Sequence, residues 1–202
     1  AFYYVRRIAP DLLPESEQNF HRRVYLHRVG TPPDTDDLVF GAGMTMTNYY
    51  GVEVSRDGHW LQVSAAEGTE PRNDLWVADL TECPPEQPAF TLVQGDVDAQ
   101  TSLTFTRDGR VLVSTDLDAP RGRFAATAPG AWGPEAWVDL IPEDPDAVLE
   151  SVTLLDGDEI AEDLFLVVRT SHGVARMTLH RAADGALVRD VDLPGAGTIG
   201  GP

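Results

Sequence analysis

The 202-residue sequence is long enough for one sizeable core, and 42% of it is hydrophobic, with 18 Gly and 15 Pro spread along the chain, so it reads as globular. A formal net charge of -18 creates a field that repels phosphate backbones and anionic lipid, so neither nucleic acid nor a membrane is an expected partner. No apolar run approaches the roughly 20 residues of a membrane span, and a single cysteine, Cys83, leaves no internal disulfide; with no secretory leader at the start, a cytoplasmic location is expected.

Taken in chain order, "FYYVRR", "RVYLHRV" and "DLVF" read as the last three strands of a four-stranded unit. The start at Ala1, without an initiator Met and in the middle of a strand pattern, reads as a piece of a longer protein. The first full unit is predicted at 51–55, 59–64, 74–79 and 89–93, where Val52 and Val54, then Leu61 and Val63, show the period of two that a sheet surface requires. The second is predicted at 102–105, 110–114, 122–126 and 136–140. The third is predicted at 149–154, 163–168, 174–180 and 186–191, with one helical turn allowed in "PDAVLESV" at 145–152.

Asp-Gly pairs punctuate these units at Asp57-Gly58, Asp108-Gly109 and Asp156-Gly157, in steps of 51 and 48 residues; a fourth, Asp184-Gly185, breaks the spacing. Each is expected to close a two-residue hairpin with positive φ at both central positions. Repeats of this length built from four short strands indicate β-propeller blades. The fold expected is therefore all-β, a partial β-propeller of about four blades of antiparallel four-stranded sheets, the first blade incomplete. Trp60, Trp76, Trp132 and Trp137 are expected to wedge between blades.

The stretches "VYLHRVGTPPDTDDLVF", "GVEVSRDGHWLQVSAAEGTEPRNDLW", "WVDLIPEDPDAVLESV" and "HRAADGALVRDVDLPGAGTIGG" resemble, in this order, the propeller of the prolyl oligopeptidase family of serine peptidases. The resemblance implies a seven-bladed lid over an α/β-hydrolase domain that cleaves peptides after proline. Residues 1–202 would form a single propeller segment, with the catalytic hydrolase domain absent from it. The function so implied is that of a non-catalytic gating fragment of a serine endopeptidase acting on short peptides; the alternative is a stand-alone propeller-type protein-binding module. Enzymatic activity belongs, on this reading, to the parent. Its partners would be the parent's hydrolase domain and short proline-containing peptides, and a homodimer of the fragment would cover its bare end blades.

No catalytic residue is expected in this chain. A nucleophile elbow of the type Gly-x-Ser-x-Gly is missing, and Ser171 beside His172 is discounted because neighbours on a strand point to opposite faces. No metal or other cofactor is expected. His172 and His180 are about 26 Å apart if extended and read as neutral surface side chains. The carboxylates of "DGDEIAED" at 156–163 lack an EF-hand pattern and read as a solvated turn. "GTIGGP" and "GAGMTMTN" precede no helix and so offer phosphate no N-terminus. By the resemblance, Tyr49 and Thr69 would line the substrate cavity, while Ala66 and Asp74 stand where relatives often carry Arg.

Overall fold

A computed structural model describes residues 1–157 and 160–199. Fifteen strands and a few short 3-10 turns make up the described residues. The strands are β1 (Phe2–Arg7), β2 (Arg22–His27), β3 (Asp37–Phe40), β4 (Asn48–Val54), β5 (Trp60–Glu67), β6 (Asp74–Asp79), β7 (Thr91–Gln94), β8 (Thr101–Phe105), β9 (Val111–Thr115), β10 (Arg123–Thr127), β11 (Val138–Ile141), β12 (Val148–Leu155), β13 (Leu164–Ser171), β14 (Val174–Arg181) and β15 (Leu187–Val191). They form one three-stranded sheet, β1-β2-β3, and three four-stranded sheets, β4 to β7, β8 to β11 and β12 to β15, with neighbours in chain order hydrogen-bonded to each other. All-β architecture and the predicted blades are thus observed, and most predicted strands lie within two residues of their place.

The chain divides into two compact units, Ala1–Arg107 and the residues from Asp108 onward. In the first unit the sheet of β4 to β7 shows why alternation decides the fold. Leu61, Val63 and Ala65 of β5 are buried, while Gln62, Ser64 and Ala66 between them are only half-buried. Aromatic side chains join successive sheets: Phe40 of β3 lies 4.9 Å from Trp76 and 5.8 Å from Tyr50, and Trp60 stacks at 5.6 Å on Phe105 of β8. In the second unit Leu112, Phe124, Ile141, Phe165, Val167 and Ala182 form the core between the last two sheets. Trp137 is buried outside that cluster, and its Nε1 donates to the Trp132 carbonyl at 3.1 Å.

Two regularities of the sheets escape the sequence. In every sheet the register of the last strand against its neighbour slips once, at Val24/Tyr25, Leu75/Trp76, Phe124/Ala125 and Leu179/His180. A bulge of this kind raises local twist and bends the outermost strand away from flat edge pairing. In the first three sheets a proline-led turn precedes the last strand, with the carbonyls of Pro33, Pro84 and Pro134 each accepting the N–H three residues on. These prolines are 51 and 50 residues apart, a steadier repeat than the Asp-Gly pairs.

The turn chemistry corrects two expectations. At Asp57-Gly58 and Asp108-Gly109 only the glycine enters the left-handed region, at φ 77° and 84°. Asp57 stays outside it and accepts the His59 N–H at 3.1 Å, so these are longer loops ending on a left-handed glycine. The hairpin with positive φ at both central residues is His172-Gly173, at 51° and 76°, between the paired residues Ser171 and Val174. The helical turn allowed at 145–152 is replaced by the bridge Asp144 to Ala147 and the start of β12. Val148 and Leu149 find strand partners on β13 in Thr170 and Arg169, and that ladder outweighs local preference.

Four aspartates fix turns in their ionised form. Burial opposes the charge of Asp36, but donation from the Tyr4 hydroxyl at 2.6 Å and contact with His27 Nδ1 at 2.8 Å, aided by Arg6, hold its carboxyl below the ordinary value. The Ser55 hydroxyl lowers Asp57, the Thr81 hydroxyl lowers Asp79, and the Ala186 N–H lowers Asp184. A carboxyl with a depressed folded pKa stabilises the fold above the unfolded value of about 4, and that stability is lost as pH falls through the depressed value. The melting temperature is expected to drop between pH 5 and pH 2.5, and Asp36→Asn should blunt the drop. An unchanged acid profile in that variant would show that the buried carboxylate carries none of it.

Candidate functional site

The two residues proposed for the cavity, Tyr49 and Thr69, lie at one end of the sheet β4 to β7. Tyr49 follows the first residue of β4, opposite Ala66, and Thr69 sits in the turn just after β5. Tyr49 is 51% exposed, and the Arg22 guanidinium lies 3.7 Å from its ring centroid. A phenol ring held by a cation is a fixed, half-open surface, suited to stacking on an apolar or planar group. Thr69 is exposed.

Beside them is a cavity of about 330 Å³ whose walls include Asn48, Glu67, Glu70, Arg72, Asp74 and Asp96. Neither Tyr49 nor Thr69 lines it, although Asn48 and Glu70 are their chain neighbours. Arg72 donates through Nε to Glu70 at 2.8 Å, and Asp74 accepts the Asp96 N–H at 3.0 Å through Oδ1. The cavity is therefore polar, acidic in balance and internally paired. Asp74 faces it with a carboxylate, and Ala66 offers no polar group at all.

Beneath this end lies a buried network that sequence reasoning missed. Asn73 is 8% exposed; its Oδ1 accepts the Thr101 N–H at 2.8 Å, and its Nδ2 donates to the Thr101 carbonyl at 3.0 Å. One side-chain amide thus substitutes for a strand residue, joining the start of β6 to the start of β8. Gln94 extends the network by donating to the carbonyls of Asn73 at 2.9 Å and Ala99 at 3.0 Å, and it accepts the Thr101 hydroxyl at 2.7 Å. The only sequence signal was the polar Asn between Arg72 and Asp74, which alone does not distinguish a buried amide from a turn residue.

Ser171 and His172 meet, contrary to the expectation that neighbours diverge. The positive φ of His172 takes it off the strand and places Nδ1 3.0 Å from Ser171 Oγ. The pair still lacks the polarity of a nucleophile and its base. Ser171 donates its one hydroxyl proton to the Asp146 carbonyl at 2.7 Å, so in their mutual contact His172 is the donor. His180 is also placed differently from expectation: it is 9% exposed, with Nδ1 2.8 Å from the Gly185 carbonyl and Nε2 2.9 Å from Thr178 Oγ1. His180 is the next-to-last residue of β14, at the register shift where β15 carries one extra residue, Val188, and its burial breaks the strand's alternation there.

Among the described residues no group of three or more His, Cys, Asp or Glu side chains could hold a metal, and no helix is long and apolar enough to cross a membrane. Asp158 and Glu159 of the acidic run, and the last three residues of "GTIGGP", lie outside the described residues.

The model of the prolyl oligopeptidase N-terminal β-propeller domain matches residues 1–202. This chain belongs to that family. Two curated relatives, the prolyl endopeptidases of Elizabethkingia miricola and Elizabethkingia meningoseptica, are 29% and 28% identical over 89% of the chain. A solved structure from a mechanistic study of two prolyl endopeptidases superposes with a TM-score of 0.81 at 26% identity, covering 96% of the chain. Prolyl oligopeptidase B from Galerina marginata, bound to a 35mer hydrolysis and macrocyclisation substrate, also superposes with a TM-score of 0.81, at 23% identity, and so shows the same fold. The prolyl oligopeptidase propeller chain spans about a quarter of each of these relatives, 23% of the Elizabethkingia proteins and 27% of the first solved chain.

Proposed function

We propose that this chain is a non-catalytic, gating part of a prolyl oligopeptidase-like serine endopeptidase, and that the parent cleaves short peptides after proline. What carries the reading is the family match along the whole chain together with a Ser171–His172 pair that runs in the wrong sense for a nucleophile. The partners in this reading are the parent's hydrolase domain and peptides small enough to pass the propeller. Tyr49, fixed by Arg22, is the side chain at the end of β4 best suited to meet such a peptide, with Thr69 beside it. A cytoplasmic location belongs to the same proposal, supported by Cys83 standing free.

A chimera tests the gating role. The segment of the Elizabethkingia miricola prolyl endopeptidase that matches this chain is replaced by it, and cleavage of a short proline peptide is compared with cleavage of a folded protein carrying an exposed proline loop. Retained peptide turnover, with the folded protein left intact, is expected. Cleavage of both at similar rates would show that this segment does not gate. In the same chimera Tyr49→Ala is expected to raise KM for the short peptide about tenfold, the loss of one stacked contact of about 1 to 1.5 kcal/mol. An unchanged KM would remove Tyr49 from the cavity wall.

A further inference from the structure

The sheet β12 to β15 has a cavity of its own, of about 350 Å³, that the gating role does not use. It opens where β12 begins and β13 ends, and its walls include Asp144, Asp146, Arg169, Arg176, Thr178 and His180. Strand register sets Arg169 directly opposite Arg176, two guanidiniums on one face. Like charges facing each other across a ladder destabilise it unless each finds a counter-charge.

Arg176 has one, Asp190, at 2.7 Å. Arg169 does not: among the described residues it forms no ion pair, it donates once, to the Pro142 carbonyl at 2.8 Å, and its buried Nε has no partner. Burial acts most strongly against its protonated form; Asp144 favours that form from beyond ion-pair distance, and the charge of Arg176 opposes it less than Asp144 supports it. A guanidinium nonetheless stays charged in proteins and carries five donors in a planar fork. His180 cannot serve the arginine, since both its ring nitrogens are engaged with Thr178 and Gly185.

We propose that this cavity binds a carboxylate, and, resting on the reading that the parent admits short peptides, that it is the carboxylate of a peptide. A planar carboxylate matches the fork of Arg169 in shape and charge. The net charge of -18 disfavours a multiply charged phosphate in the same place.

The test is a titration of the 15N-labelled 202-residue chain, read at the arginine Nε–H signals, with Arg169 assigned by the signal lost in Arg169→Lys. The probes are a Gly-Pro-Gly tripeptide acid, the same tripeptide as its C-terminal amide, and sodium acetate. The acid should shift the Arg169 signal saturably, and the amide should bind about tenfold or more weakly, as expected for loss of a charge-assisted pair. Asp144→Asn, which removes a competing carboxylate without touching the arginine, should tighten binding of the acid. If acetate binds as well as the tripeptide acid, the carboxylate site stands and its link to peptides fails. No shift with any probe, or equal shifts with acid and amide, overturns the site itself.

Discussion

Asn73→Ala is expected to destabilise the chain by about 2 to 5 kcal/mol, a large effect for an exchange of one polar side chain. The amide of Asn73 satisfies both backbone groups of Thr101, at 2.8 and 3.0 Å, in a position where it is itself 8% exposed. Truncation removes the amide partner of a buried N–H and of a buried carbonyl, each loss costing about 1 to 3 kcal/mol, and loosens Gln94, which holds the Asn73 and Ala99 carbonyls. Asn73→Asp should be no better, because it keeps the acceptor, loses the donor and buries a charge. Asn48→Ala is the control: its amide makes only a 3.4 Å contact with the Tyr50 hydroxyl, and a loss under about 1 kcal/mol is expected. Urea unfolding followed by circular dichroism measures all three, and equal midpoints for Asn73→Ala and Asn48→Ala would deny the network its role.

The second large effect is expected from Gly185→Ala. Gly185 has φ 73°, and a Cβ built there would overlap the Leu140 backbone carbonyl, carbon and Cα. Backbone cannot swing aside as a side chain can, so overpacking of about 1 to 3 kcal/mol adds to a left-handed cost of about 1 to 2 kcal/mol. Gly58→Ala separates the two contributions. Gly58 has φ 77° but nothing within 4 Å of the added Cβ, so only the conformational cost, about 1 to 2 kcal/mol, should appear. If both variants lose the same stability, the close approach of Gly185 to Leu140 is not a constraint on the fold.

The contrast between these two glycines shows where the sequence was legible. Period-two alternation at Val52, Val54, Leu61 and Val63 located β4 and β5, and the strand predicted at 74–79 coincides with β6. That signal is local, since each residue reports its own side of a sheet. The Asp-Gly spacing pointed to blades, yet Asp184-Gly185, which breaks the interval, is the one of the four whose glycine is closely approached by distant backbone, while Asp156-Gly157 has no left-handed glycine. Spacing records where a turn falls and carries no information on what approaches it.

What stayed hidden is non-local. Asn73 pairs with a residue 28 positions away, and the bulges at Val24/Tyr25, Leu75/Trp76, Phe124/Ala125 and Leu179/His180 exist only as a relation between two strands. The regular prolines at 33, 84 and 134 were present in the sequence, but Pro10, Pro14 and Pro32 accept the same kind of bond, and only the place before the last strand of a sheet marks those three as equivalent. Arg169 and Arg176 likewise come face to face only through the register of β13 against β14. For Ser171 the strand rule failed because the next residue, His172, is already in the turn; the direction of the hydroxyl proton, which decides its chemistry, is set by the distant Asp146 carbonyl.

The proposed function leaves this propeller segment without chemistry of its own. Purified chain incubated with a chromogenic Gly-Pro substrate tests that most directly: the predicted result is release of chromophore at the rate of buffer alone, unchanged by Ser171→Ala. Turnover that survives repurification and disappears in Ser171→Ala would contradict it.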